Sequence, residues 1–252
     1  MKIKFLGTGT STGVPEIGCK CEVCTSDNIK DRRLRASVLI HTENKKILID
    51  CGPDFRQQVM DEEFSPMDGV LLTHEHYDHV GGLDDLRPFC KFDDVDIYSG
   101  SSTLNALRLR IPYSFSEQKY PGVPIFRLHE VNPDEAFSVR GVKIQPVKIM
   151  HHKLSILGYR IGNFAYLTDV KYIPEEEYLK LKDLDTLVIN ALRIEEHMSH
   201  LNLEQALAEV EKIKPKKAYF IHMSHHMGLH EKVQNKLPKN IFLSYDGLEI
   251  EV

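Results

Sequence analysis

The segment HEHYDH, residues 74–79, places three imidazoles and two carboxylates directly after the apolar run VLLT. A short apolar run of this kind indicates a buried strand, and open sheets usually carry their ligand sites at the C-terminal ends of strands. His74 and His76 lie two positions apart and can point the same way, whereas Asp78 and His79 lie further along the turn. Ligands on one short turn cannot all reach the same ion, so the spacing predicts a site for two metal ions.

Further candidate ligands follow other apolar runs in the same way. KIQPVKIM precedes His151 and His152, FAYLT precedes Asp169, and KAYFI precedes His222. Because strand ends converge on one edge of a sheet, side chains from distant positions can meet there, and convergent groups of this kind mark functional sites. The sequence therefore predicts one edge that gathers metal ligands from four strands. The neighbours His151 and His152 are both candidates on this reasoning.

Strand-like and helix-like segments alternate along the chain. With 252 residues, of which 42% are hydrophobic and 27% charged, we expect a single globular domain over residues 1–252. The strand-like runs are MKIKFLG, SVLIHTENKKILIDCG, GVLLTH, DTLVIN and KAYFIH, several short ones between about residues 95 and 167, and two around residues 245–247. Helical patterns cover residues 53–63, 78–90, 174–182 and 203–214.

The charge and the N-terminal sequence limit the expected partners. A formal net charge of −5 gives the chain no overall positive field that would attract a polyanion. We therefore expect a small-molecule substrate rather than a long nucleic acid. The segment MKIKFLGTGT lacks the apolar core and cleavage site of a secretory signal, and no run approaches the roughly 18 apolar residues of a membrane span. The expectation is a soluble, cytoplasmic protein without membrane association.

Three of the five cysteines, Cys19, Cys21 and Cys24, lie within six residues. Thiols this close together make a poor disulfide framework and are better suited to holding a metal in reducing surroundings. They supply three of the four ligands of a closed tetrahedral zinc site, which a histidine could complete. Reactive or redox thiols are the alternative interpretation. Cys51 and Cys90 are expected to be small buried core residues.

The whole pattern resembles the metallo-β-lactamase-fold hydrolases, in which an HxHxDH segment, a later His, a later Asp and a final His form a two-metal centre. The resemblance spans nearly the full chain and implies an α+β fold, a four-layer αββα sandwich. It also implies the ligands: His74, His76 and His151 for the first ion, Asp78, His79 and His222 for the second, and Asp169 between them. Asp50, at the end of ILID, matches a position that orients the ligands through hydrogen bonds.

One branch of these hydrolases is particularly similar. GTGTSTGVPEIGCKCEVC, taken with HEHYDH, YLTD and IHMSHH, resembles the branch that includes a phosphoribosyl cyclic phosphate phosphodiesterase. In that branch three cysteines and a His three residues after the last catalytic ligand hold a structural zinc, which implies His225 here, with His226 as a competitor. MHHKLSILGY resembles a family pattern that favours His151 over His152. The implied cofactors are two zinc or manganese ions, which these ligands suit alike, and one structural zinc.

The resemblance also implies a catalytic histidine. In HMSHLNLEQAL, His200 occupies the place of a catalytic or phosphate-contacting His, and His197 is a second candidate for the same pocket. The alternative is a purely structural one, in which Ser199 or Asn202 caps the helix that begins near Leu203 and His200 merely sits at the cap.

The expected activity is hydrolysis of a small phosphodiester, cyclic phosphates included. Two ions about 3.5 to 4 Å apart activate a water and stabilise charge on the entering and leaving oxygens. In the expected reaction the resulting hydroxide attacks phosphorus, and His200, with a pKa near its ordinary value, protonates the departing alkoxide. Asp78 is counted as catalytic together with His200.

Other functions use the same fold. A nuclease similar to ribonuclease Z has a comparable Gly-rich start, but this chain has a negative net charge and no long basic, Gly-rich arm for gripping tRNA. The activated hydroxide could instead attack the carbonyl of a lactone, thioester or β-lactam. A metal-bound interaction module without activity is a further alternative, against which the complete ligand set argues. The family resemblance makes a homodimer the expected assembly.

Overall fold

Two β-sheets form the centre of the molecule in the computed structural model, which describes residues 1–118 and 120–252. Seven strands make up each sheet in this part of the chain. In chain order they are β1 Lys2–Gly7, β2 Ser37–Thr42, β3 Lys45–Ile49, β4 Gly69–Leu71, β5 Val95–Ser99, β6 Phe126–Glu130, β7 Phe137–Val139, β8 Val142–His151, β9 Leu154–Ile161, β10 Phe164–Leu167, β11 Thr186–Asn190, β12 Lys217–Ile221, β13 Ile241–Leu243 and β14 Glu249–Glu251.

Short helices connect the strands. The α-helices are α1 Phe55–Val59, α2 Tyr77–Val80, α3 Ser101–Arg110, α4 Leu203–Ile213 and α5 His230–Gln234. The 3-10 helices are Ile29–Asp31, Leu83–Lys91, Pro112–Ser114, Glu175–Leu181 and His225–Met227. Among the described residues, no helix is long and apolar enough to cross a membrane.

The two sheets share one pattern of pairing. The first has the order β14-β1-β2-β3-β4-β5-β6 and the second the order β13-β12-β11-β10-β9-β8-β7. In the first sheet the pairings from β14 to β3 are antiparallel and those from β3 to β6 are parallel. In the second, the pairings from β7 to β10 are antiparallel and those from β10 to β13 are parallel. Strands β8, β10 and β12 therefore run in one direction, and their C-terminal ends lie on one edge.

Three apolar clusters separate four layers of structure. Ile40 and Ile49 of the first sheet pack against Tyr159 and Phe164 of the second, so one cluster lies between the sheets. A second cluster lies between the first sheet and helices that include α1 and α3. The third lies between the second sheet and α4. The order is helix, sheet, sheet, helix, which confirms the α+β sandwich predicted from the sequence.

The central strands are apolar along their whole length because both of their faces are covered. Leu39 packs toward the helices while its neighbours Val38 and Ile40 pack between the sheets. Such double burial gives near-continuous apolar runs rather than alternation, which is why these strands could be recognised from the sequence. Cys51 is buried in the cluster under α1, as expected, whereas Cys90 is only half-buried against that cluster.

Helix α3 is the main element that the sequence analysis missed. The region from residue 95 to 167 was interpreted as strands and turns, but Ser101–Arg110 is helical. Its first turn consists of Ser and Thr residues, which are poor helix formers, so local propensity gives a weak signal. Leu104 and Leu107 are buried against the first sheet, and this packing stabilises the helix.

Helix α4 begins with an Asn202 cap, one of the two caps considered from the sequence. The Asn202 side chain accepts a hydrogen bond from the Gln205 amide at 2.9 Å, and the Gln205 side chain accepts one from the Asn202 amide at 3.3 Å. This reciprocal pair is a capping box. Asn202 is therefore the cap, and His200 is not needed to begin the helix.

Replacing Asn202 with Ala should lower the free energy of unfolding by about 1 kcal/mol, because the Gln205 amide loses its acceptor. Asn202→Ser restores a side-chain oxygen at the cap and serves as the matched control. Urea denaturation of the three proteins measures the difference. Equal unfolding free energies for the Ala and Ser variants would contradict the assignment of the cap.

Candidate metal centre

Three candidate site residues adopt a left-handed backbone just after a strand. Asp50 follows β3, Asp169 lies two residues after β10, and His222 follows β12, with φ angles of 62°, 58° and 60°. This conformation costs a non-glycine residue on the order of 1–2 kcal/mol, because Cβ approaches the following carbonyl oxygen. Such strain persists only where the surroundings hold the residue in place, and it clusters at functional sites.

A first group of potential ligands consists of His74, His76, His151 and Asp169, whose donor atoms all lie within 4.8 Å of one another. The Nε2 atom of His74 is 2.9 Å from Nδ1 of His76. The Nδ1 atom of His151 donates to the Ser199 carbonyl oxygen at 2.9 Å, which leaves Nε2 for the site. The structure thus brings together the four residues that the resemblance implied for the first ion.

The second group consists of Asp78, His79, Asp169 and His222, again with donor atoms within 4.8 Å of one another. Oδ2 of Asp78 is 3.1 Å from Nε2 of His79 and 3.3 Å from Nε2 of His222. All four side chains are buried. These are the residues implied for the second ion, drawn from the HEHYDH segment and from the second sheet.

Asp169 is common to both groups, and its two carboxylate oxygens divide between them. Oδ1 lies 3.2 Å from Nε2 of His222 and 3.5 Å from Nε2 of His79. Oδ2 lies 3.7 Å from Nε2 of His74. A carboxylate placed in this way can contact one ion through each oxygen, which is the arrangement of a bridging ligand.

Hydrogen bonds from neighbouring residues orient the ligands. Oδ2 of Asp50 accepts from Nδ1 of His79 at 2.7 Å, which fixes the tautomer and turns Nε2 toward the second group. The other Asp50 oxygen accepts from the Thr73 amide at 2.9 Å and so holds the residue before His74. Asp50 thus has the supporting position that the resemblance implied.

Two threonines that support the ligands were missed by the sequence analysis. The Thr168 hydroxyl donates to Oδ1 of Asp169 at 2.8 Å, and the Thr73 hydroxyl lies 3.0 Å from Nδ1 of His74. Both threonines are buried. Each directly precedes a candidate ligand in the sequence, and this shared Thr-ligand pairing is the signal that could have identified them.

The helix that carries Asp78 and His79 packs on the loop after β3. The Cys51 amide donates to the His79 carbonyl at 2.8 Å, and the Gly82 amide donates to the Cys51 carbonyl at 2.9 Å. A Cβ atom at Gly52 would lie 2.1 Å from the Asp78 carbonyl oxygen. Glycine is therefore required at this close approach, and the contact fixes the height of α2 above the sheet.

The electrostatics of the site favour a bound cation. Burial opposes ionisation of Asp169, but the nearby imidazoles of His222 and His79 outweigh it and hold the pKa of that carboxyl well below its usual range. Burial also opposes charge on His79, yet the carboxylates of Asp78, Asp169 and Asp50 raise its pKa. Burial lowers the pKa of His74, which keeps that imidazole neutral and able to ligate. Buried carboxylates need cationic partners, so these donors fit a pair of metal ions.

His200 lies beside both ligand groups. Its ring centroid is 4.6 Å from that of His151 and 5.0 Å from that of His222, and its Nδ1 is buried without a hydrogen-bond partner among the described residues. Burial lowers the pKa of His200 to about 3, so the imidazole is neutral at pH 7. The expectation of an ordinary pKa was wrong, because sequence alone did not reveal how deeply this side chain is buried.

The competing histidines are separated by their positions. His152 has a φ of 54° and is exposed in the turn between β8 and β9, outside both ligand groups. The ring of His197 lies 5.2 Å from that of His200 and is half-buried further from the ligands. The structure therefore places His151, rather than His152, with the other candidate ligands.

A third group of donors unites the cysteine loop with His225. Nδ1 of His225 lies 3.2 Å from Sγ of Cys19, 3.3 Å from Sγ of Cys21 and 3.4 Å from Sγ of Cys24. Three thiols and one imidazole match the ligand set of a closed tetrahedral zinc site. His226 is exposed and outside this group. The geometry favours the zinc interpretation over redox thiols, and His225 over its neighbour.

The segment after β1 and the loop carrying His222 are joined through Met223. The Met223 amide donates to the Thr8 carbonyl at 3.0 Å, and the Thr10 amide donates to the Met223 carbonyl at 3.0 Å. Met223 follows His222 directly and lies two residues before His225. The N-terminal segment therefore supports the candidate metal centre from one side.

Comparison with known proteins adds an independent line of evidence. The family model for the Beta-lactamase superfamily domain matches residues 45–223. The crystal structure of a diphosphatase from the PhnP family has a TM-score of 0.92 and 39% sequence identity, with 100% of this chain and 97% of that chain covered.

Two curated relatives match along part of their length. Octanoyltransferase from Porphyromonas gingivalis is 48% identical over 251 residues, which are 99% of this chain and 51% of that protein. Ribonuclease Z from Nostoc punctiforme is 28% identical over 173 residues, with 64% of this chain and 47% of that protein covered. The chain thus spans about half the length of these two relatives. By its family match and its four-layer architecture, the chain belongs to the β-lactamase superfamily and has the metallo-β-lactamase fold.

Proposed function

We propose that this protein is a metal-dependent phosphodiesterase that hydrolyses a small phosphodiester, cyclic phosphates included. The observation that carries the proposal is the sharing of Asp169 between two buried groups of metal-ligating side chains. Two ions held by such groups supply an activated water nucleophile and stabilise charge on both the entering and the leaving oxygen. That combination suits displacement at phosphorus.

The residues of the chain have separate roles in this proposal. Asp169 spans the two groups and fixes their separation, while His74, His76 and His151 would hold one ion and Asp78, His79 and His222 the other. Asp78 also orients the imidazoles of His79 and His222 through its carboxylate. We propose that the ions are zinc or manganese, and that the cysteine loop with His225 holds a structural zinc.

His200 acts in this proposal through its N–H group. A neutral imidazole is a poor proton donor to an alkoxide. Its N–H group can still donate a hydrogen bond. The His200 ring lies beside those of His151 and His222, which supports a role in donating to an oxygen of the phosphoryl group. Preorganised donors aimed at developing charge are a major source of catalysis.

The similar proteins support a phosphoryl substrate over a carboxylic one. The PhnP-family structure is described as a diphosphatase and the Nostoc relative as a ribonuclease, and both names denote reactions at phosphorus. The name octanoyltransferase belongs to a protein of which this chain matches about half, so that activity does not have to reside in the matched half. An octanoyl ester or thioester nevertheless belongs among the substrates to be tested.

Ribonuclease Z activity is the second candidate because of the Nostoc relative. Phosphate-backbone binding depends on Lys and Arg, and a net charge of −5 provides no general attraction for a long polyanion. We therefore expect a small diester to be the better substrate.

The homodimer expected from the family resemblance remains a prediction.

Metal analysis should find three ions per chain in the purified protein. Asp169→Asn should lose the two ions of the shared site and keep one, because both ligand groups depend on its carboxylate. Cys24→Ser should lose one ion and keep two, and Cys90→Ser, at a half-buried cysteine outside the site, should keep all three. Elemental analysis after dialysis gives these ratios. Loss of the same ion in the Asp169 and Cys24 variants would contradict the two-site assignment.

The protein loaded with zinc or manganese should hydrolyse bis(p-nitrophenyl) phosphate and ribose cyclic phosphates. His74→Ala should lower kcat/KM by more than about 100-fold, since even hydrogen-bond partners of metal ligands are worth 10–100-fold. His152→Ala, at an exposed histidine outside the ligand groups, is the matched control. Failure of the parent on every diester would reject the proposal. Faster cleavage of precursor tRNA would favour the nuclease, and faster hydrolysis of an octanoyl thioester would favour acyl chemistry.

His200→Ala should lower kcat for the diester by about 100-fold, because the transition state loses one hydrogen-bond donor. His200→Gln retains an N–H donor and should recover part of that loss. Metal content should be unchanged in both variants. If Ala and Gln at this position have the activity of the parent, His200 takes no part in the reaction.

A further inference from the structure

Asn190 is a fully buried amide at the C-terminal end of β11. Strand β11 pairs with β10 on one side and with β12 on the other, and these two strands lead to Asp169 and His222. The three residues before Asn190 in this strand, 187–189, are apolar and buried. An amide in such a place is costly unless its hydrogen-bonding groups are satisfied, so its partners indicate its role.

Both polar atoms of the Asn190 side chain bind one residue, Val170. Oδ1 accepts from the Val170 amide at 2.6 Å, and Nδ2 donates to the Val170 carbonyl oxygen at 3.1 Å. Val170 directly follows Asp169, whose backbone is held in the left-handed region at a φ of 58°. The Asn190 amide therefore clamps the chain immediately after the carboxylate that both ligand groups share.

The Val170 carbonyl oxygen has a second partner. It also accepts from the amide of Leu201 at 2.8 Å, and Leu201 directly follows His200. One buried side chain thus binds both backbone groups of Val170, which is joined covalently to Asp169 and by a hydrogen bond to the residue after His200.

We propose that Asn190 is a positioning residue that fixes the carboxylate of Asp169 relative to the imidazole of His200. It acts through Val170 and touches none of the ligand atoms. Without the clamp, the strained turn at Asp169 is free to relax, and the bond from Thr168 to Oδ1 alone does not hold the backbone. The shared carboxylate would then lose its alignment with both groups, and the loop of His200 would shift with it.

Metal affinity and catalysis should both depend on Asn190. Asn190→Leu removes both hydrogen bonds and keeps a side chain of similar size. Asn190→Asp keeps an acceptor for the Val170 amide but places a carboxylate oxygen against the Val170 carbonyl oxygen. Each should weaken metal binding at the shared site by 10–100-fold, the range for partners that orient ligands. Chelator competition with zinc or manganese measures this affinity. With metal at saturation, kcat should fall more than KM rises, because the misplacement affects the reacting groups.

The zinc at the cysteine loop serves as an internal measure of folding, since it should stay at one per chain in both variants. Thr186→Val is the matched control, a buried residue at the other end of β11 whose side chain is remote from the site. It should leave metal affinity and kcat unchanged. Should the Leu variant fail to fold, the nearly isosteric Asp variant decides the question.

The proposal is overturned if the folded Asp variant, with its cysteine-loop zinc retained, binds metal at the shared site within twofold of the parent. It is also overturned if Thr186→Val weakens metal binding equally, because a general loss of stability then explains the effect. The kinetic part rests on the proposed function, whereas the metal titration does not. If the parent hydrolyses no diester, the proposed function fails and the titration still decides the role of Asn190.

Discussion

Three buried carboxylates, those of Asp50, Asp78 and Asp169, impose the constraint on which the rest of the site depends. Ionised carboxylates are stable inside a protein only when cations or hydrogen-bond donors surround them. His79 contacts all three, with Nδ1 at 2.7 Å from Asp50 and Nε2 at 3.1 Å from Asp78 and 3.5 Å from Asp169. The remaining imidazoles converge on the same carboxylates. This surplus of negative charge suits the cluster to binding metal ions.

The sandwich brings this charge to the junction of its two sheets. The HEHYDH segment belongs to the first sheet, whereas Asp169 and His222 follow strands of the second. The Tyr159 hydroxyl donates to the Leu72 carbonyl at 2.6 Å, and the Leu157 amide donates to the Thr73 carbonyl at 3.1 Å. These bonds fix the end of one sheet against the face of the other. The spacing between the ligand groups is therefore a property of sheet packing, and the cysteine loop reinforces it from outside.

Residue type and position relative to strands were enough to identify the candidate ligands, with His151 and His152 left as alternatives. Histidines and aspartates that directly follow apolar runs are conspicuous because a strand end is a poor place for an isolated buried charge. The residues that hold the ligands gave weaker signals. Thr73 and Thr168 resemble ordinary ends of strands, and Asn190 is separated by twenty positions from the peptide that it clamps. Helix α3 was missed because its stability comes from packing against the first sheet, which no local pattern records.

The sequence by itself determined the kind of candidate site, since three thiols in one loop and seven imidazole and carboxylate groups at strand ends are the side chains that suit metal binding. The tertiary structure separated the neighbours that residue type left open, placing His151 and His225 in their clusters, as the family resemblance implied, while His152 and His226 are exposed. The reason is the direction of the chain, because one residue further along a turn points the side chain elsewhere. Only the structure, likewise, revealed that burial keeps His200 neutral, since burial is created by elements distant in sequence.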